Sequence, residues 1–286
     1  MSRPELTWDL PGGRRLTLGR RTLIMAAVNV TPDSFSDGGL FYEPQRAVEH
    51  ALELAEQGAD ILDIGGMSTR PGSEPVSPQE ELQRVLPVIQ RLAAACDKPI
   101  SIDTYRASVA QAALEAGAAI INDITALQGD PRMPELAARS GAGVVLMHMQ
   151  GRPRDMQKNP TYQDVVAEVR DFLAQRAREA QAAGVARGCI VLDPGIGFGK
   201  TFDHNLQLIK GLPALVELGY PVLVGASRKA FIGHLTGRED PLERLNGTIA
   251  VHVLAAALGA HIVRVHDAGP MREALAVSDA VMAQEV

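Results

Sequence analysis

The sequence predicts a (β/α)8 TIM barrel, and three features indicate it: the number of short apolar runs, the helical stretches between them, and the glycines that end those stretches. Eight runs are rich in Val and Ile and show no polar alternation. This pattern is typical of strands that are covered on both faces, as in a parallel sheet. The runs are residues 23–28, 61–64, 99–102, 119–121, 144–147, 190–192, 222–224 and 262–265.

Amphipathic helices are predicted between the runs. Residues 45–57 and 78–95 place apolar side chains at the i, i+3, i+4 and i+7 spacing of a helix with one buried face. Glycine accepts the left-handed conformation that ends a helix, and it ends several of these stretches, at Gly58, Gly117, Gly141, Gly184, Gly219 and Gly259. Eight strands alternating with helices suit a barrel, which usually has about 250 residues.

A doubly wound open sheet is the alternative fold. It normally has a Gly-x-Gly-x-x-Gly turn after its first strand, whereas the turn here begins Asn29-Val-Thr-Pro-Asp. Residues 6–18 look like a short β-hairpin around Pro11-Gly12-Gly13, which we expect to pack over the N-terminal end of the barrel. Because no linker interrupts the pattern, one domain is expected over residues 1–286.

Composition excludes several classes of protein. With 46% hydrophobic and 22% charged residues, the chain is not disordered. A formal net charge of −6 argues against nucleic acid as a partner. No run reaches the roughly 18 apolar residues of a membrane span, and no signal peptide is visible. Cys96 and Cys189 are expected to be buried thiols of a cytoplasmic protein.

A polar residue follows each apolar run. In a barrel the C-terminal ends of the strands meet on one face, where enzymes of this fold have their active sites. One such residue alone is more often a helix cap, but eight in series predict a functional rim. The residues are Asn29, Asp63 or Ser68, Asp103, Asn122 with Asp123, His148, Asp193, Ser227 with Arg228 and Lys229, and Arg264 with His266.

Cations and two long loops predict an anion site on this rim. The loops, residues 29–39 and 65–76, are rich in Gly, Pro and hydroxyl groups and suit a lid. Positive side chains at strand ends beside hydroxyl groups suggest a phosphate or diphosphate, and they occur at Arg70, Arg228, Lys229, Arg264 and His266. The alternative is that these cations pair with carboxylates of the rim.

Two buried acids indicate a nitrogen-rich ring. Asp103 and Asp193 end predicted strands, with Asn122 between them in sequence. A buried carboxylate must be paired or hydrogen-bonded, and the two N–H groups of an aminopyrimidine-like ring would satisfy it. The alternative is that these acids pair only with Lys229 and Arg264.

The metal prediction is Mg²⁺, since no His or Cys cluster has zinc spacing. Mg²⁺ on a diphosphate keeps several waters and needs few protein ligands, and Asn29 is the candidate. His148 stands alone, and we interpret it as an ordinary strand-end histidine more readily than as a metal ligand. Residues 195–201 end in Gly-Lys-Thr but lack the spacing of a P-loop, so an ATPase is excluded.

Together these segments resemble the dihydropteroate synthases of folate biosynthesis, a family of pterin-binding barrels. The resemblance extends from residue 29 to residue 267, and its longest segments are Asn29-Val-Thr-Pro-Asp-Ser-Phe-Ser-Asp-Gly-Gly and Asp193-Pro-Gly-Ile-Gly-Phe-Gly-Lys. The shorter ones are Ser68-Thr-Arg-Pro-Gly, Ser101-Ile-Asp-Thr, Ile121-Asn-Asp, Met147-His-Met-Gln-Gly, Ser227-Arg-Lys and Arg264-Val-His-Asp.

The resemblance implies a reaction and a role for each site residue. The family joins 7,8-dihydropterin-6-ylmethyl diphosphate to p-aminobenzoate, and it uses Mg²⁺, here on Asn29. The implied pterin contacts are Asp103, Asn122, Asp193, Lys229 and Met147. The implied diphosphate contacts are Arg264 and His266, with Asn29 and Thr69. The implied p-aminobenzoate pocket, where sulfonamides compete, contains Ser68, Thr69, Arg70, Pro71, Phe198 and Ser227. Val265 is a further expected substrate contact. The residues expected to act in catalysis are Asp103, Lys229, Arg264, His266 and Arg70.

The implied mechanism is dissociative: diphosphate leaves first and the aniline nitrogen then attacks. One departure from the family is Met67, where a Glu usually precedes Ser-Thr-Arg-Pro-Gly. The alternatives are a corrinoid methyltransferase that uses methyltetrahydrofolate and a silent pterin-binding protein. The family also implies a homodimer, for which residues 249–258 and 271–286 are candidate interface segments; the alternative is that they face the barrel.

Overall fold

Ten strands form a small hairpin and a barrel in a computed structural model of the chain, which describes residues 3–30, 43–68 and 76–284. The hairpin strands are β1 (Leu6–Asp9) and β2 (Arg15–Leu18). The barrel strands are β3 (Leu23–Asn29), β4 (Ile61–Gly65), β5 (Ile100–Asp103), β6 (Ile120–Asp123), β7 (Gly143–Met147), β8 (Ile190–Asp193), β9 (Leu223–Val224) and β10 (Ile262–Val265).

The barrel strands are all parallel and adjacent in the order β8-β7-β6-β5-β4-β3-β10-β9. The two outer members of this order meet through a parallel bridge between Leu192 and Val222, and the Leu192 amide donates to the carbonyl of Pro221 at 2.9 Å. These contacts bring β8 against β9 and close the ring. The predicted (β/α)8 barrel is therefore confirmed.

Helices connect the strands and cover the barrel. They are α1 (Glu43–Glu56), α2 (Pro78–Ala95), α3 (Ala107–Glu115), α4 (Met133–Ser140), α5 (Val165–Ala182), α6 (Phe202–Lys210), α7 (Leu212–Val216), α8 (Ala230–Thr236), α9 (Leu245–Ala257) and α10 (Ala268–Met282). Gly58 and Gly117, which follow α1 and α3, have φ of +102° and +115°. This left-handed geometry is what the glycine pattern predicts at helix ends.

The hairpin closes the N-terminal end of the barrel, as the sequence predicts. Trp8 is fully buried, and it clusters with Leu18 and with inward side chains from the lower part of the strands, among them Met25 and Ile120. Its indole N–H donates to the Cys189 carbonyl at 2.8 Å. The C-terminal end of the barrel is not covered by the hairpin and is available for a functional site.

Three details refine the sequence predictions. Five of the eight barrel strands end one or two residues later than predicted, so that Asn29, Asp103 and Asp193 lie within the strands. Cys189 is buried as expected, but the prediction for Cys96 is wrong, because this residue caps α2 and is only partly buried. In the part of the chain that the structure describes, no helix is both long and apolar enough to span a bilayer.

Candidate active site

The C-terminal ends of the strands hold the polar residues that the sequence singled out. Across the parallel register, Asn29 pairs with Gly65, Gly65 with Asp103, and Asp103 with Asn122. Asp193 ends β8 on the other side of the ring. Because all eight strands run in the same direction, these groups lie at the same end of the barrel.

An arginine held between two carboxylates lies at the centre of this end. Arg264 donates from Nε to Asp63 Oδ2 at 2.6 Å and from Nη2 to Asp103 Oδ2 at 2.8 Å. Asn122 Nδ2 donates to the same Asp63 oxygen at 3.0 Å. Burial raises the pKa of Asp103 to about 7; Arg264 opposes this, whereas the nearby negative charge of Asp63 adds to it. The two carboxylates in turn raise the pKa of Arg264, which therefore stays charged.

Asp193 lies in a different electrostatic setting. Its Oδ1 accepts the Gly195 amide at 2.7 Å. Burial raises the pKa of Asp193 to about 6, while the Gly195 hydrogen bond and the positive charges of Lys229, Lys200 and Arg264 act in the opposite direction. Its protonation is therefore sensitive to neighbouring cations.

Two further contacts connect the loops above the barrel. Lys229 Nζ lies 4.2 Å from the centre of the Phe198 ring, within range of a cation–π interaction. Ser227 Oγ lies 2.9 Å from His266 Nδ1 and accepts the His266 backbone amide at 3.3 Å. The turn between β9 and α8 therefore reaches both the loop after β8 and the end of β10.

The buried part of this site has no excess of positive charge. Among the described residues of this cluster, the cations are Arg264, Lys200 and Lys229, and the carboxylates that act on one another and on these cations are Asp63, Glu81, Asp103, Asp123 and Asp193. Such a set can hold a neutral, hydrogen-bonding ring with little electrostatic cost. A multiply charged anion that binds above it needs additional positive charge.

A family model described as "Pterin binding enzyme" matches residues 25–266. The chain belongs to this family. It is 48% identical over 273 residues to the dihydropteroate synthase of Synechocystis sp., a match that covers 95% of this chain and 94% of that protein.

Two solved structures of Xanthomonas albilineans dihydropteroate synthase have the same fold. The one with 4-aminobenzoic acid superposes with a TM-score of 0.92 at 49% identity and covers 99% of this chain and 100% of its own. The one in complex with 7,8-dihydropteroate has a TM-score of 0.87 at 48% identity, with the same coverage. Membership of the pterin-binding family and the barrel fold are therefore both established.

Several predicted contacts have a definite place in the structure. Met147 is buried at the end of β7, and its Cγ lies close to Gly195. Val265 packs its side chain into the apolar layer between the barrel and the helices, so a substrate at the rim would meet its backbone instead. Ser68 lies in the second long loop, of which the structure describes residues 65–68 and 76. The predicted contacts Thr69, Arg70 and Pro71, and most of the first long loop, lie outside the described residues.

Sequence reasoning assigned no role to two charged residues of the site, Asp63 and Lys200. Asp63 was one of two candidates after its strand, and a carboxylate inside the buried run Leu-Asp-Ile was the available signal. Lys200 lay in the rejected P-loop pattern and in one of the segments that resemble the family, but neither gave it a role. It is buried, and its ammonium contacts the ring and carbonyl of His148.

Other polar residues of the rim hold the fold together. Arg228 pairs with Asp267 at 2.7 Å, so this cation follows the ion-pair alternative. Asp123 accepts from the Thr125 amide and hydroxyl at 2.7 and 2.6 Å and fixes the turn after β6. His148 is buried against the Phe172 ring, and burial together with the Lys200 charge lowers its pKa to about 3. It is therefore neutral.

Arginines hold both ends of the second long loop. Arg84 donates to the Gly66 carbonyl at 2.9 Å. Arg106 donates to the Val76 carbonyl at 2.6 Å and to the buried carboxylate of Glu81 at 2.5 Å. Met67, the departure from the family, lies between these anchors and is nearly buried, with its sulfur 3.9 Å from the Tyr105 hydroxyl.

The residues present fit a magnesium ion held mainly by substrate. No cluster of three His, Cys, Asp or Glu side chains within residues 3–30, 43–68 and 76–284 could bind a metal by itself. A Cβ built on Gly65 would lie 3.7 Å from both Asn29 Oδ1 and Asp103 Oδ2, so the missing side chain leaves open the space beside these oxygens. One amide oxygen, with diphosphate and water oxygens, is a donor set that Mg²⁺ accepts.

Proposed function

We propose that this chain is a dihydropteroate synthase, which joins 7,8-dihydropterin-6-ylmethyl diphosphate to p-aminobenzoate and releases 7,8-dihydropteroate and diphosphate. The observation that carries the proposal is the buried set of Asp103, Asn122 and Asp193 below a rim with cations. Relatives at 48–49% identity support it, since they carry this name and one of them is solved both with 4-aminobenzoic acid and with 7,8-dihydropteroate.

The pterin ring is the part of the substrate that the buried carboxylates would hold. Its amino and ring N–H groups would donate to Asp103 and Asp193, and Asn122 can both donate and accept. Met147 would pack against the ring. A site that satisfies these buried carboxylates with N–H donors selects a flat heterocycle over a purely apolar ligand.

The bond changes are simple and balanced. The C–O bond between the exocyclic methylene carbon and diphosphate breaks, and its electron pair leaves with the diphosphate. The lone pair of the aniline nitrogen forms the new C–N bond, and that nitrogen then loses a proton to solvent. After the diphosphate leaves and before the amine attacks, positive charge spreads into the pterin ring, where ionised Asp103 and Asp193 would stabilise it.

The cations of the rim would stabilise the leaving diphosphate. Arg264 and His266 lie at the end of β10, and Arg70 belongs to the loop expected to close over the site. Mg²⁺ bound at Asn29 would neutralise charge on the diphosphate oxygens. Because Arg264 already compensates Asp63 and Asp103, the diphosphate would need the charge of Mg²⁺ and Arg70 in addition.

The p-aminobenzoate site would lie above the ring, between the loops. Phe198, Ser227 and Lys229 come from two neighbouring strand ends, and Ser68, Thr69 and Pro71 would complete the pocket from the second long loop. An aromatic face beside an ammonium group suits a planar carboxylate-bearing amine.

Diphosphate release from the two substrates together tests the proposal. The purified protein should release diphosphate only when both substrates and Mg²⁺ are present, and chelation of the metal should abolish release. Asp103→Ala should lower kcat/KM by at least about 10²-fold, or about 2.7 kcal/mol. Asp171→Asn, in an exposed ion pair on α5, is the matched control and should keep full activity.

Other outcomes would overturn the proposal. Pterin binding without diphosphate release would indicate a silent binding protein. Methyl transfer from methyltetrahydrofolate to a corrinoid would indicate the methyltransferase.

We also propose that two copies of the chain associate through the face formed by α9 and α10. The two helices pack against each other, and large apolar side chains remain exposed on them, namely Leu254, Val277, Val281 and Met282. Sedimentation should show a dimer for the wild type and a monomer for Val277→Glu. A wild-type monomer at micromolar concentration would refute this assembly.

A further inference from the structure

Lys200 is a buried amine whose hydrogen-bond partners are all neutral. Burial lowers its pKa to about 7, while the nearby negative charge of Asp193 acts in the opposite direction. Lys200 lies at the end of the loop after β8, and the residue is 3% exposed. The ammonium lies 3.0 Å from His148 Nδ1 and donates to the carbonyls of His148 at 3.3 Å and Phe198 at 3.0 Å. Burying an ammonium among neutral acceptors is costly, so this residue type is unexpected for packing alone.

The loop that Lys200 ends is pressed against the backbone after β7. Gly195, Gly197 and Gly199 all have positive φ. A Cβ on Gly195 or Gly199 would lie about 2 Å from the carbonyl oxygen of His148 or Gln150. The alternating glycines of the Gly-Ile-Gly-Phe-Gly motif are therefore required for this close approach.

Each carbonyl near the tip of this loop has its own donor. Gln157 Nε2 donates to the Gly197 carbonyl at 2.6 Å, and the Tyr162 hydroxyl donates to the Gly199 carbonyl at 2.8 Å. Between them, the Phe198 carbonyl accepts from Lys200. Lys200 thus holds the Phe198 carbonyl, while the Phe198 amide donates to the Gly195 carbonyl at 3.1 Å.

The Phe198 side chain faces a group of the candidate site. Its ring lies over the Lys229 ammonium at 4.2 Å. A shift of the Phe198 peptide would therefore move the ring relative to Lys229. It would change the shape of the space between the loop after β8 and the turn between β9 and α8. Small displacements of this kind matter when a second reactant must be held in line for attack.

We propose that Lys200 is a positioning residue that holds the Phe198 ring and thereby shapes the pocket for the aromatic amine. This inference rests on the proposed function, because it assigns the amine pocket to Phe198. Lys200 acts through Phe198 and makes no contact with the reacting atoms.

Steady-state kinetics with each substrate varied in turn tests this role. At pH 8, above the pKa of about 7 for Lys200 and about 6 for Asp193, Lys200→Met should raise KM for p-aminobenzoate by about tenfold or more, while kcat and KM for the pterin diphosphate stay within about threefold. Tyr162→Phe removes one hydrogen bond from the same loop without touching the Phe198 peptide, and it should leave KM for p-aminobenzoate within about threefold. Equal effects of the two variants would overturn the proposal.

A double-mutant cycle separates action through Phe198 from a general loss of structure. In a Phe198→Ala background, Lys200→Met should change KM for p-aminobenzoate by less than about twofold, because the ring it positions is gone. Multiplicative effects of the two substitutions would refute the inference. If Lys200→Met does not fold, Lys200→Gln enters the same cycle with the same criteria.

A structural measurement keeps this inference separate from the proposed function. A wild-type protein that releases no diphosphate overturns the function alone. Crystal structures of the wild type and Lys200→Gln then decide the role of Lys200. Displacement of the Phe198 ring by about 1 Å or more supports it, and an unmoved ring overturns it.

Discussion

Asp63→Asn is the substitution that most directly tests the charge network at the centre of the barrel. Asp63 is fully buried in β4, and one of its oxygens accepts from both Arg264 and Asn122. The substitution keeps the shape of the side chain but replaces an anion with a neutral amide. Arg264 then has Asp103 as its remaining carboxylate partner.

The expected cost follows from the full burial of Asp63 and the partial burial of Arg264, whose side chain is 23% exposed. Removing one partner of a buried ion pair typically destabilises a protein by about 3–5 kcal/mol, because the other charge stays buried. Since Asp103 still compensates Arg264, we expect the lower end, about 3 kcal/mol. The loss of one of its two anchors should also let Arg264 move, and kcat/KM should fall by about tenfold or more, or about 1.4 kcal/mol.

Urea unfolding of the wild type and the variant measures the stability term. Glu5→Gln is the matched control, since Glu5 pairs with Arg20 at 3.1 Å on the surface with both side chains more than half exposed. Exposed pairs of this kind contribute about 0–1 kcal/mol. If Asp63→Asn lost no more stability than Glu5→Gln, the central charge network would not stabilise the barrel.

Three further predictions concern other parts of the molecule. Trp8→Ala should lower the free energy of unfolding by about 3–5 kcal/mol, yet kcat/KM per folded molecule should stay within about threefold, because the hairpin lies opposite the site; a comparable loss of kcat/KM would contradict this. Since burial raises the pKa values of Asp103 and Asp193 to about 7 and about 6, both become protonated as the pH falls, and calorimetry should show weaker pterin binding at pH 5 than at pH 8; unchanged affinity would refute a role for the carboxylates. Met67→Glu should change kcat/KM by less than about tenfold, because the loop ends are anchored by arginines; a gain of a hundredfold or more would identify Met67 as a functional defect.

The barrel could be predicted because its strands are short and apolar on both faces, and because a polar residue stands at the end of each strand. Buried parallel strands leave no room for alternation, so residues such as 144–147 stand out from the amphipathic helices around them. The N-terminal hairpin could be predicted for a similar local reason, since Pro11-Gly12-Gly13 separates two alternating segments.

The sequence predicted which residues lie at the candidate site, but it did not predict which of them form ion pairs with each other. Parallel strands place Asn29, Asp103, Asn122 and Asp193 on one rim whatever the details of packing, so their common location follows from the fold class. Arg264 was placed there as well, but both of its carboxylate partners lie more than 160 residues away in sequence. No local pattern reports such a contact.

Lys200 shows most clearly the difference between what the sequence encodes locally and what depends on the tertiary structure. The sequence by itself determined that a glycine-rich loop follows β8 and that a lysine ends it, because glycine spacing and helix starts are local properties of the chain. Only the tertiary structure decided that this lysine is buried, since its acceptors on His148 come from the neighbouring strand end and its environment depends on how closely the two backbones approach. Backbone conformation is encoded within a few residues, whereas burial and charge pairing depend on which distant segments the closed barrel brings together.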